Sequence, residues 1–216
     1  MSHVAVKICG VRTDDALAAA LEGGAAYVGF VFYPPSPRAI APKAAAALAT
    51  RAAGRARRVG LLVDASDDEI AAVLADAELD MLQLHGHETP ERVREARARF
   101  GLPVIKAVPV AGPDDIARAA AFRGVADMLL FDAKPPDRAD ALPGGNAAAF
   151  DWRLLADAPP DGDWMLSGGL TPQNVGQAIA TARPPAVDVS SGVEVRRGEK
   201  DPALIRQFLA AAAAGG

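Results

Sequence analysis

The sequence predicts an α/β fold, a single-domain (β/α)8 barrel. Eight short aliphatic runs alternate with eight alanine-rich helical stretches, the pattern of a parallel sheet whose crossovers are helices. A length of 216 residues with eight such units favours a closed barrel over an open doubly wound sheet. No Gly-x-Gly-x-x-Gly follows the first run, and no linker interrupts the chain, so residues 1–216 read as one domain.

Strands are expected at Val4–Cys9, Ala26–Phe32, Arg58–Val63, Met81–Leu84, Val104–Ala107, Met128–Phe131, Trp164–Leu166 and Val187–Val189. Helices are expected near Thr13–Glu22, Pro42–Ala53, Asp67–Ala77, Pro90–Phe100, Pro113–Ala121, Phe150–Ala156, Pro172–Ala182 and Pro202–Ala214. Several open on proline, which loses no backbone donor at the first helical position.

Side chains alternate along a strand, so each run divides into two faces. In the first, Ala5, Lys7 and Cys9 stand against Val4, Val6 and Ile8. In the fourth, Met81, Gln83 and His85 stand against Leu82 and Leu84, and in the fifth Lys106 lies between Val104 and Val108. Asp132 shares a face with Leu130, and Asp188 with Ser190. Helices would cover the aliphatic faces, so the polar sets should point into the barrel, where a charge must be paired. Closure makes the first and eighth strands neighbours, which predicts a Lys7–Asp188 ion pair.

Half of the residues are apolar and 23% are charged, an ordinary globular balance. A net charge of −4 gives no bulk attraction to nucleic acid or anionic membrane, so neither is an expected partner. One cysteine excludes an intrachain disulfide and a cysteine-based zinc cage. No apolar run reaches the roughly 18 residues of a membrane span, and no leader is read at the N-terminus. A cytoplasmic protein is expected.

The loops after the later strands suit an anionic ligand. Ser167-Gly168-Gly169-Leu170-Thr171-Pro172 follows the seventh, and Ser190-Ser191-Gly192-Val193-Glu194 the eighth. Glycines beside helix N-termini let backbone N–H groups approach a phosphate, and barrels of this kind build phosphate sites from these two loops. A small phosphorylated substrate is the expected partner. The loop after the sixth strand, Ala133 to Ala149, is the longest. The loop after the second, Phe32-Tyr33-Pro34-Pro35-Ser36-Pro37-Arg38, puts an arginine on a stiff arm, suited to clamp a carboxylate.

Cys9 ends the first strand on its polar face. Lone cysteines are often only small buried hydrophobes, but this position raises a catalytic reading, and Lys7 nearby could favour the thiolate. Asp132 stands on the sixth strand, on another side of the mouth, which fits a base and an acid flanking one substrate. His85 and His87 look at first like a metal pair, but no third histidine or cysteine shares a suitable spacing, and no metal is expected.

Lys7-Ile8-Cys9-Gly10, Gly29-Phe30-Val31-Phe32 with Ser36-Pro37-Arg38, and Gln83-Leu84-His85-Gly86 resemble phosphoribosylanthranilate isomerase. So do Phe150-Asp151-Trp152, Leu166-Ser167-Gly168-Gly169-Leu170 and Val187-Asp188-Val189-Ser190-Ser191-Gly192-Val193-Glu194. The resemblance implies a TIM barrel catalysing an Amadori rearrangement in tryptophan biosynthesis, with no cofactor, as a monomer or weak homodimer. By the same resemblance Cys9 is the general base and Asp132 the general acid. Arg38 would meet the anthranilate carboxylate, and Asp188 would lie near the sugar hydroxyls. Gly145, Gly168, Gly169, Ser191 and Gly192 would form the phosphate site. The chain departs from the family's Gly-Gly-x-Gly pattern at Gly144-Gly145-Asn146-Ala147-Ala148. Two rivals share the scaffold. A related sugar isomerase of histidine biosynthesis carries a carboxylate where Cys9 stands, and a phospho-ligand sensor would not need Cys9 and Asp132.

Overall fold

The computed structural model describes residues 4–134, 142–145 and 149–216. Eight parallel strands close into a barrel in sequence order: β1 (Ala5–Cys9), β2 (Tyr27–Val31), β3 (Arg57–Leu62), β4 (Met81–Leu84), β5 (Val104–Val110), β6 (Met128–Ala133), β7 (Trp164–Leu166) and β8 (Ala186–Val189). Helices α1 (Asp14–Glu22), α2 (Pro42–Ala52), α3 (Asp67–Asp76), α4 (Pro90–Phe100), α5 (Pro113–Ala119), α6 (Arg153–Asp157), α7 (Val175–Ala182) and α8 (Pro202–Gly215) follow the strands in turn.

Local chemistry sets the helix starts. Pro42, Pro90, Pro113 and Pro202 stand in the first turns of α2, α4, α5 and α8. Thr13, Ser66, Thr89 and Asp201 cap with side-chain oxygens, and Ser66 with Glu69 forms a reciprocal capping box. Two helices begin later than the sequence suggests. Asp151 accepts from the Arg153 N–H, and Asn174 accepts from the Thr171 N–H while donating to the Gly169 carbonyl. Each side chain satisfies a local turn where the helix had been expected to start.

The core has two layers, as strand alternation requires. Val59, Met81, Ile105, Leu130, Met165 and Ala186 fill the barrel interior. The opposite faces, including Ile8, Val28, Leu84, Phe131 and Val187, pack under the helices. Lys7 registers against Asp188 across the β1–β8 seam, and its amine meets that carboxylate at 2.8 Å. The predicted pair is present.

One orientation differs from expectation. Lys106 shares its parity with Val104 and Val108, which belong to the outer layer, whereas Ile105 and Ala107 point inward. Its amine therefore lies under the helices, 2.7 Å from Glu88 and 2.7 Å from the Gly86 carbonyl. The sequence also reads past a short antiparallel hairpin after β8, β9 (Glu194–Arg196) with β10 (Glu199–Lys200). Asn146, Ala147 and Ala148, where the glycine pattern departs, lie outside the described residues, as do His3 and residues 135–141.

Candidate active site

The C-terminal ends of the strands open into a cleft continuous with solvent. Strand β1 delivers Cys9 to its wall, β6 delivers Asp132 and β8 delivers Asp188. Arg38, Gly145, Gly168, Gly169 and Ser191 reach the same cleft from their loops. Gly192 does not line it. A Cβ there would run into the Leu170 carbonyl, so this glycine lets the β8 loop pack against the β7 loop.

Cys9 lies in a charged, buried corner. Lys7, wholly buried, donates to Asp188, whose other oxygen accepts from Ser167 Oγ at 3.1 Å. Gly29, in register with Cys9 on β2, leaves room for both groups, since a Cβ would sit 3.0 Å from the sulfur and 3.2 Å from the Lys7 amine. Burial pushes the Cys9 thiol up; Lys7 and Lys200 pull it down and Asp188 adds to the rise, leaving it above the usual thiol value. Burial would also lower the Lys7 amine, but Asp188 and Cys9 more than offset this and hold it protonated. The sequence suggested that Lys7 favours the thiolate. It does, but against a larger desolvation cost.

Arg38 is buried, and Glu194 from β9 takes its Nε at 2.7 Å and its Nη2 at 2.9 Å. Nη2 also donates to the Gly145 carbonyl at 3.2 Å. Gly145 has φ of 71°, and a Cβ there would strike the guanidinium, so both conformation and space call for glycine. Lys200 from β10 donates to Glu194 at 2.7 Å and to the Ser190 carbonyl at 2.9 Å. Burial would raise the Glu194 carboxyl, but Arg38 and Lys200 outweigh that and keep it below the ordinary carboxylate value. Burial and Arg38 lower the Lys200 amine, with Glu194 opposing. Two cations around one carboxylate leave this side of the mouth one charge positive.

Asp132 accepts from the Ala133 N–H at 2.9 Å through Oδ1, and its Oδ2 lies 3.3 Å from His85 Nε2. His87 turns away to Asp64 and is exposed. The two histidines therefore face different carboxylates and do not converge on one point. Gly168 and Gly169, with φ of 87° and 64°, fold the β7 loop into a turn that L side chains resist.

The sequence matches the family described as N-(5'-phosphoribosyl)anthranilate (PRA) isomerase over residues 6–211. The chain belongs to that family. A relative from Rhodospirillum centenum, named N-(5'-phosphoribosyl)anthranilate isomerase, is 56% identical over 211 residues, 98% of this chain and 99% of the relative. A phosphoribosylanthranilate isomerase from Thermotoga maritima, solved as monomers generated from the dimeric protein, superposes with a TM-score of 0.84 at 38% identity. It covers 98% of this chain and 99% of its own. A further phosphoribosyl anthranilate isomerase, solved in complex with reduced 1-(o-carboxyphenylamino)-1-deoxyribulose 5-phosphate, gives a TM-score of 0.84 at 37% identity over the same shares.

Within this isomerase the sequence left several neighbours of the site unread. Glu194 ends the loop after β8, and Lys200 lies in the hairpin beyond it, whose charge-rich sequence signals no regular element. Strand parity had placed Gln83 and His85 on the inner face. What it could not give was their partner, which depends on the height of β4 relative to β6.

Proposed function

We propose that Cys9 and Asp132, facing one phosphate-type cleft, carry the family's rearrangement of N-(5-phosphoribosyl)anthranilate to 1-(2-carboxyphenylamino)-1-deoxyribulose 5-phosphate. Their common access to this cleft is the observation that carries the assignment. Asp132 gives a proton to the ribose ring oxygen, the C1–O bond breaks, and a protonated Schiff base forms to the anthranilate nitrogen. The Cys9 thiolate then takes the proton on carbon 2, and the resulting enolamine passes to the ketone as its hydroxyl proton leaves and carbon 1 is protonated. Two transfers at separate atoms need two groups on separate walls, and a thiolate is a competent base for the second.

The backbone around Gly168, Gly169 and Ser191, with Gly145, holds the phosphate, and Gly192 lets the β8 loop pack behind it. Asp188 faces the sugar hydroxyls while neutralising Lys7. Glu194 occupies Nε and Nη2 of Arg38, so the Nη1 edge meets the anthranilate carboxylate. The net positive charge of Arg38, Glu194 and Lys200 supplies the attraction.

The whole chain, residues 1–216, acts as one domain in the cytoplasm, as a monomer or weak homodimer, and needs no metal or organic cofactor. No described helix is long and apolar enough to cross a membrane. Freshly made phosphoribosylanthranilate, followed by loss of its anthranilate-type fluorescence, tests the assignment. Cys9→Ser and Asp132→Asn should each lower kcat by about 10²- to 10⁴-fold. Wild-type rates in both variants would end it.

A further inference from the structure

We propose that His85 is a positioning residue for the general acid, holding the carboxylate that Asp132 becomes when it gives up its proton. This rests on the reading of Asp132 as acid. Gln83 and His85 project from the same face of β4, and the His85 N–H is tied to the Leu62 carbonyl at 2.9 Å. Gln83, wholly buried, places its amide nitrogen 2.7 Å from His85 Nδ1. With the Gln83 nitrogen as the donor, Nδ1 accepts and the neutral ring carries its proton on Nε2; the opposite amide orientation would put the proton on Nδ1 and leave Nε2 an acceptor. That nitrogen faces Asp132 Oδ2 at 3.3 Å, and both side chains are about nine-tenths buried.

The glutamine does this at a cost. Its Oε1 is buried without a hydrogen-bond partner among the described residues, which an aliphatic residue like the neighbouring Met81 would avoid. What the amide supplies in return is the ring's tautomer. Gly144 lies over the pair: a Cβ there would come within 2.6 Å of His85 Nε2 and 2.8 Å of Asp132 Oδ2. Among the described residues, the other charged or titratable groups lining the cleft are Cys9, Tyr33, Arg38 and Asp188, with Lys7, Glu194 and Lys200 bonded behind them.

The chemistry makes the contact directional. The Asp132 O–H bond breaks, its electron pair stays on the carboxyl, and the proton goes to the ring oxygen. An N–H bond to a carboxylate is shorter and stronger than one to a neutral acid, so the contact tightens from its long starting distance as the proton leaves. Stabilisation that grows along the reaction raises kcat and leaves substrate binding little changed.

His85→Phe keeps an aromatic ring and removes the donor. It should lower kcat roughly 10- to 100-fold with KM within about threefold of wild type. Affinity for reduced 1-(o-carboxyphenylamino)-1-deoxyribulose 5-phosphate should be unchanged, and His85→Gln, which keeps an amide donor, should recover part of the loss. Gln83→Leu, which frees the tautomer but leaves the ring, should give a smaller fall in kcat and serves if the phenylalanine variant does not fold. In an Asp132→Asn background, His85→Phe should cost less than about twofold, because the group it serves is gone. An unchanged kcat in folded His85→Phe, or the same loss with and without Asp132, overturns the proposal. A wild-type rate in Asp132→Asn alone overturns instead the acid assignment beneath it.

Discussion

Cys9, the proposed base, stands at a place that resists ionisation. Burial raises its thiol, and the Lys7 cation is the foremost force in the other direction. If the thiolate is the working form, as proposed, its raised pKa makes the active fraction grow with pH on the alkaline side of an ordinary cysteine. Lys7→Met removes the opposing charge, so the rising limb of the kcat/KM profile should move to still higher pH and the rate at pH 7 should fall. The same change leaves the Asp188 carboxylate buried with only Ser167 to bond it, costing about 3–5 kcal/mol of stability. Paired pH–rate profiles and urea titrations check both outcomes. A limb that stays in place would show that Lys7 does not tune the base. The ion pair itself was legible in the sequence because two rules meet there: alternation fixes the face, and closure fixes the neighbour. No such pair of rules reaches His85, whose partner is set by strand stagger.

At the scale of elements, the hairpin β9–β10 does more than finish a loop. It carries Glu194 and Lys200, and through Glu194 it fixes the guanidinium of Arg38 beneath Gly145. On the proposed role of Arg38 as the carboxylate clamp, Glu194→Gln should raise KM about 10-fold with a smaller change in kcat, since a clamp acts on binding more than on proton transfer. It also leaves Arg38 and Lys200 as buried cations facing each other, at a cost of about 3–5 kcal/mol. The folded Glu194 carboxyl lies below its ordinary value of 4.5, so its contribution is present above that pH and fades as pH falls through the lower folded value. The variant's stability deficit should accordingly be full at pH 7 and shrink on acidification, as urea midpoints against pH would show. A deficit independent of pH would mean that packing, not charge, is lost.

Met81–Leu84, Trp164–Leu166 and Pro90–Phe100 coincide with expectation at both ends: the two strands are short apolar runs, and the helix opens on Thr89-Pro90 and closes on Gly101. The hairpin does not, because Glu194 to Lys200 alternates charge with one valine and one glycine and carries no apolar face to announce a strand. Lys106 failed for the opposite reason. Its parity with Val104 and Val108 puts it on the outer face, where it pairs with Glu88, although the rule that polar sets point inward predicts the barrel interior.

For the whole molecule, closure ties the two ends of the chain together. The last strand pairs with the first, and α8 packs on α1, where Leu209 reaches Gly23 and Arg206 reaches Glu22. Neither half of the barrel can bury its interior face without the other, so unfolding should be one cooperative event. Fluorescence of Trp152 and Trp164, both on the later half of the chain, should then change at the same urea concentration as far-UV circular dichroism. The seam substitution Lys7→Met should move both transitions together, although it lies more than 140 residues from either tryptophan in sequence. Two separated transitions would show that the halves fold independently and that residues 1–216 are not one domain. The exterior bears on association in the same way. Val195 is the one large hydrophobic residue prominently exposed among the described residues, at 60%, and a lone valine on a hairpin is too little apolar surface for a tight interface. Sedimentation should accordingly find monomer, or a dimer that dissociates as the protein is diluted through the micromolar range. A dimer that persists at nanomolar concentration would place the interface on a surface of different chemistry.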